Sequence, residues 1–306
     1  MAAGAALVDA AGRTAWVLTD GPADRSLGPA LVWADRREVT DLHLLVDDGA
    51  GAIARQAALF APAPTVWAVE GTALAEAQPA PVPPPVEPIA PADLVDLLID
   101  SGVEIVVEDG LVRGEVNGLE VARIVAGETT AGVPLDAPLL EVGVGKADRE
   151  LTAMVHGELA PVDRLARVVE IVRSHRRPGA ARHPLNQLVP DRWLRAVLVR
   201  DPGRVGLASL RPAEGPRPRR NLTERGAAVA VGSTAGGEPV VVACSVGVAA
   251  DLVPAAADAR AALDPGARLL LAVPERDDHP STRRLAARLR APAEVVPVPG
   301  DWRAAE

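Results

Sequence analysis

The stretch PLLEVGVGKADRELTAMVHG, residues 138–157, contains the side chains whose types and spacing most invite chemistry. Lys146 is the only lysine in the chain, against 31 arginines. It follows an apolar run, 139–144, and a glycine-loosened exit at Gly143 and Gly145, and it precedes a helical pattern over 147–156 closed by Gly157. A strand feeding a glycine loop and a helix start points free backbone N–H groups and a positive dipole end at one spot, which suits an anion. Neither nucleotide motif is complete. The phosphate-cradling loop wants Gly and Ser or Thr where Leu140 and Ala147 stand, and the dinucleotide pattern begun by Gly143 and Gly145 is not completed near position 148.

A second anion-binding candidate is the run SHRRPGAARHPLN, where Arg176, Arg177, Arg182 and His183 could fork onto phosphate oxygens beside His175. Between positions 164 and 225 the chain carries 15 arginines against five acids, although its net charge is −9. That asymmetry points to an acidic partner, a nucleotide or nucleic acid, or to pairing with acids of the same chain. Aromatics for base stacking are scarce nearby, Trp193 being the only one and lying on an apolar helix face.

Asp20, Asp47, Asp48, Ser245 and the run 275–279 (ERDDH) fall where strands of an open parallel sheet would end. Carboxylates and a histidine there could hold Mg²⁺ or exchange protons, or they could cap the helices that follow, as Asp278 and His279 before Pro280 suggest. There is neither a Cys/His zinc spacing nor a G-x-S-x-G elbow.

At 306 residues, 48% hydrophobic and 24% charged, the chain has the profile of a folded soluble protein with room for two or three domains. The single Cys244 lies in an apolar run, cannot form an internal disulfide and fits a reducing cytoplasm. No leader-like N-terminus or apolar run of membrane-spanning length is present, so a cytoplasmic location with no membrane partner is expected.

Residues 1–78 read as strand, helix, strand, helix, strand, and residues 226–306 repeat that order, sharing an acidic loop, a helix, an Ala-Pro-Ala stop and a strand. The expected fold class is α/β: two flanking three-stranded βαβαβ (Rossmann-like) units that can complete one sheet together, with a smaller α+β middle domain. Residues 79–91, with seven prolines, form a linker, 92–203 the middle domain with a helical extension, and 204–225 a basic linker. Leu165, Val168, Val169 and Val172 form one helical stripe, Trp193, Leu194, Val197 and Leu198 another, and Asn117-Gly118 marks a tight turn.

The helix, three strands, helix order of residues 93–157 resembles the core of the restriction-endonuclease-like nuclease superfamily. That resemblance implies a metal-dependent phosphodiesterase with Glu120 (or Glu115) and Glu141 as catalytic acids and Mg²⁺ as cofactor. The lysine that the pattern places two residues after the second acid is replaced by Gly143. GLEVARIV, LEVGVGKADRE, SHRRPGAARHPLN and CSVGVAADLVPAAADAR resemble an uncharacterised family from high-GC bacteria, which implies no activity. The leading expectation is a binding or regulatory protein for an anionic partner; a nuclease-like protein and a structural interaction protein are the alternatives.

Overall fold

The computed structural model describes residues 4–19, 25–129, 131–155, 160–217, 221–224 and 226–304. Short apolar runs punctuated by Gly, Pro and Asp give eight α-helices and three β-sheets among those residues. The first block comprises β1 (Gly4–Val8), β2 (Thr14–Thr19), α1 (Leu27–Asp35), β3 (Asp41–Val46), α2 (Ala50–Ala57), β4 (Thr65–Glu70) and β5 (Ala73–Glu76). Its strands lie side by side in chain order. β2, β3 and β4 are parallel, and β1 and β5 close the two edges antiparallel.

The middle block consists of α3 (Ala92–Asp100), β6 (Glu104–Glu108), β7 (Leu111–Val116), β8 (Leu119–Val125), β9 (Leu139–Val142), α4 (Gly145–Val155) and α5 (Pro161–His175). Its four strands form an antiparallel meander. Asn117 and Gly118, both at positive φ, make the two-residue turn between β7 and β8. Leu165, Val169 and Val172 of α5 pack with Leu98 of α3 against Val112, Val116 and Ile124.

The last block contains α6 (Pro190–Arg200), β10 (Ser209–Ala213), β11 (Ala228–Ser233), β12 (Pro239–Cys244), α7 (Leu252–Leu263), β13 (Arg268–Pro274), α8 (Pro280–Ala287) and β14 (Glu294–Val298). β12, β13 and β14 are parallel, and β11 and β10 extend the sheet antiparallel. Residues 209–213, expected to lie in a linker, are therefore a strand. α6, expected as an extension of the middle domain, instead buries Trp193, Leu194, Val197 and Leu198 on the Val240, Val242 and Leu270 face of this last sheet.

The expectation of one sheet shared by the two terminal blocks is corrected: each builds its own five-stranded mixed sheet. β1 and β5 occupy both edges of the first parallel triplet and β11 one edge of the second, so those edges are already paired. The blocks meet through their helices. Leu31, Ile53 and Phe60 share a single apolar core with Val253, Ala256, Leu271 and Leu285. At Gly28 a Cβ would come within 2.2 Å of the Ala250 carbonyl oxygen, so only glycine lets α1 approach the start of α7 this closely.

That junction has pseudo-two-fold symmetry. Phe60 and Leu289, which follow α2 and α8, lie opposite each other in an antiparallel bridge. Ala61 N–H donates to the Arg288 carbonyl at 2.8 Å, and Arg290 N–H to the Leu59 carbonyl at 2.8 Å. The offset of 229 residues that carries Phe60 onto Leu289 exchanges these two bonds. It also carries Arg55 onto Arg284; each makes an ion pair across the junction at 2.8 Å, Arg55 to Asp258 and Arg284 to Asp35, although the offset does not carry one acid onto the other.

Candidate functional site

One face of the middle sheet is charged yet withdrawn from water. Glu108 on β6, Arg113 and Glu115 on β7, and Glu120 on β8 are all at most 8% exposed. Arg192 and Arg195, one helical turn apart on α6, cover this face. Arg195 donates to Glu108 at 2.7 Å and to Glu115 at 3.1 Å, and Arg192 donates to Glu115 at 3.0 Å and also contacts Glu108. Burial alone would raise the Glu108 carboxyl, but the charges of Arg195 and Arg192 outweigh it and hold the group at about 2. The same carboxylates drive Arg195 above its ordinary value against its own desolvation.

Glu120 and Glu141, the two acids expected to be catalytic, sit on adjacent strands of this layer, with arginines where a cation would have to be. Glu120 accepts from Arg149 at 2.9 Å and lies 3.3 Å from Arg113. Glu141 accepts from Arg123 at 3.2 Å and lies 3.6 Å from Arg149. A divalent ion would have to displace guanidinium groups already neutralising both carboxylates, so these residues do not fit Mg²⁺. Among the described residues no cluster of three or more His, Cys, Asp or Glu side chains could hold a metal.

The five residues expected to bind an anion are not brought together as a site. Arg176 is fully buried. Its guanidinium donates to the carbonyls of Asn117 (2.7 Å), Leu185 (2.8 Å) and Leu188 (2.8 Å) and stacks 4.4 Å from the Trp193 ring centroid. Burial pushes it down to about 9. It is therefore a brace between the β7–β8 turn and the loop before α6, and this corrects its assignment as a ligand group. His183 stacks on His175 at 3.7 Å and accepts from Leu185 N–H, capping a short 3₁₀ turn. Lys146 is exposed and lies 3.8 Å from Glu150 one turn along α4. Only Arg177 and Arg182 are exposed on the loop as expected.

Three of the strand-end groups are engaged within the protein itself. His279 accepts from Ser281 N–H at the start of α8, Asp278 makes a two-pronged pair with Arg283, and Asp277 accepts from Gly247 N–H. Asp20 lies outside the described residues. Cys244 is buried and its thiol pushed up to about 12 by desolvation, which leaves it unreactive.

The best candidate site is a cleft of about 490 Å³ between β9, the residues Thr129, Ala131 and Val133, the second turn of α4 and the start of α5. Val133, Leu139, Leu140 and Val142 give it apolar walls, and Glu141, Glu150, Arg149 and Arg164 supply its charge. Among the described residues, the Nε–H groups of Arg149 and Arg164 are shielded from solvent without a hydrogen-bond partner. A buried donor left unpaired is costly; Arg149 Nε lies 3.6 Å from Glu141, so Arg164 is the residue of this cleft whose donor an acceptor would complete. Desolvation pushes Arg149 below the ordinary arginine value, opposed by Glu120 and Glu141. A comparable hollow of about 390 Å³ over β10 and β11 offers only Arg211 and Asp264 as charged lining.

No protein-family model, curated protein or solved structure matches the chain. Among the described residues no helix is long and apolar enough to cross a membrane.

Sequence reasoning reached the acids of this region and not their partners. Part of the signal is in the sequence: Arg113 and Glu115, two apart in an otherwise apolar strand, share a sheet face, whereas Glu120 and Arg123, three apart, join them only through the register shift between β7 and β8.

Proposed function

We propose that this chain is a binding protein for a small organic anion, held in the Arg149–Arg164 cleft. The observation that carries the reading is Arg164, whose shielded Nε–H has no hydrogen-bond partner, beside Arg149 on one apolar-walled cavity. The volume, about 490 Å³, suits a small molecule and not a polymer chain. Glu141 and Glu150 in the same lining oppose a doubly charged ligand, so the favoured head group is a monoanion such as a carboxylate, with an apolar body against Val133, Leu139 and Val142.

Isothermal titration with a medium-chain fatty acid, benzoate and inorganic phosphate tests this. Wild type is expected to bind a monocarboxylate, and Arg164→Ala to weaken it by about tenfold or more, as loss of a charge-assisted hydrogen bond would. Arg164 is half-buried at a helix start, so its variant should melt as wild type does. Equal affinity in the two proteins, or no carboxylate binding, discards the proposal.

A second reading, a structural interaction protein whose basic and acidic parts satisfy one another, is favoured by Arg192 and Arg195. Both belong to the arginine-rich segment, and both are used up on Glu108 and Glu115. A nucleic-acid partner would rest on Arg177 and Arg182 alone of the arginines first considered. Replacing both with Ala, with no change in nucleic-acid affinity or its salt dependence, would remove that partner.

A further inference from the structure

The first sheet carries helices on one face only. On the other, Trp16 of β2 lies flat against His43 of β3, with ring centroids 4.0 Å apart and planes 9° from parallel. Trp67 of β4 completes a three-ring platform, 5.9 Å from Trp16 and 6.2 Å from His43. The rings are fixed by a hydrogen-bonded chain. Trp67 Nε1–H donates to His43 Nδ1 at 3.1 Å, which makes Nδ1 the acceptor and leaves Nε2–H to donate to Asp41 at 3.2 Å. Strand register places Leu7 opposite Trp16, Leu18 and Leu45 beside it, and Leu74 opposite Val69 on the same face. Leu7, Leu18 and Leu74 are 68%, 42% and 47% exposed. Five strands at about 4.8 Å spacing make this a surface roughly 20 Å wide, the size of patch that marks an interaction site.

The charge on this face selects its occupant. Among the described residues its ionisable groups are Asp41, His43 and Glu76, the last paired in register with Trp67, and no Lys or Arg side chain accompanies them. A nucleic acid could stack its bases on the rings, but its phosphates would meet carboxylates and no cation. A second copy would bring the same acids face to face. A protein segment with arginines among apolar residues meets both demands: guanidinium groups stack on the indole faces and pair with Asp41 and Glu76, while leucine-like side chains cover Leu7, Leu18 and Leu74. We infer that the uncovered face of the first sheet is a docking surface for a cationic amphipathic segment of a partner protein.

The test uses the full chain and synthetic helical peptides of leucine with arginine or of leucine with glutamate, read by tryptophan fluorescence and titration calorimetry. The arginine peptide is expected to saturate and to bind at least about tenfold more tightly than the glutamate peptide. Leu7→Gln/Leu18→Gln/Leu74→Gln should abolish binding, and the single surface change Glu76→Arg should weaken the arginine peptide selectively. Equal affinity for the two peptides, indifference to both variants, or no saturable binding overturns the inference. Competition by oligouridylate would assign the platform to nucleic acid instead. Self-association of the free chain that the triple leucine variant removes would assign the face to a second copy.

Discussion

Arg195 donates to Glu108 across 87 positions of sequence, at 2.7 Å, and thereby locks the middle sheet to the last one. α6 lies between them: its apolar side is part of the last sheet's core, while Arg192 and Arg195 face the glutamates. Removing one partner of a buried pair leaves the other charge desolvated and uncompensated. Arg195→Ala is therefore expected to destabilise by about 3–5 kcal/mol, whereas replacing Arg195, Glu108 and Glu115 together by apolar residues of similar volume should cost much less. Urea unfolding of the two proteins decides it; a small loss in Arg195→Ala would mean that water reaches the layer.

The same layer sets an acid limit. The Glu108 carboxyl is held at about 2, below its unfolded value of 4.5. Its contribution is thus complete above about pH 4.5 and is lost as pH falls toward 2, and the difference is worth roughly 3 kcal/mol. Glu104 and Glu214, whose carboxyls burial raises, act in the opposite sense and return part of that loss on acidification. Stability measured from pH 6 downward should hold until about 4.5 and then fall, and Glu108→Gln should flatten that fall. An unchanged profile in the variant would place acid sensitivity elsewhere.

The pseudo-two-fold junction offers a comparison of two arginines at equivalent positions that pair with different acids. Arg55 is 14% exposed and its fork holds both oxygens of buried Asp258, while its counterpart Arg284 is 51% exposed opposite Asp35. Arg55→Ala should cost about 2 kcal/mol or more and Arg284→Ala less than about 1 kcal/mol, because water screens the second pair. Similar losses at the two positions would show that solvent exposure does not separate the two pairs.

What was legible in the sequence was what short-range pattern determines. The stripe Leu165, Val169, Val172 and the face Trp193, Leu194, Val197, Leu198 appear where helical spacing put them, and Asn117-Gly118 turns because both residues tolerate positive φ. Which sheet a face packs on is not encoded locally, so chain order alone assigns α6 to the middle domain while its apolar face belongs to the last sheet. Edge strands such as Gly4–Val8 and Ser209–Ala213 carry weak patterns because only one side of each is paired. Arginine presents the same ambiguity at the site. Nothing near Arg176 announces the carbonyls of Asn117, 59 positions away, nor does Arg192 reveal Glu108, 84 positions away.

The brace at Arg176 yields the sharpest local prediction. The Asn117–Gly118 turn is pressed so closely on α6 that a Cβ on Gly118 would lie 2.3 Å from the Arg192 carbonyl carbon, and Arg176 fastens the turn from the other side. Lysine offers a point charge with no planar fork, so it cannot span the Asn117, Leu185 and Leu188 carbonyls together. Arg176→Lys should therefore lose nearly as much stability as Arg176→Ala, about 2–4 kcal/mol, by stranding buried carbonyls. Gly118→Ala, strained at φ +73 as well as crowded, should lose a similar amount. Combined with Arg176→Ala it should lose less than the two separately, since both loosen one contact. Chemical denaturation of the four variants reads this coupling, and strict additivity would mean that the turn and the arginine brace different parts of the fold.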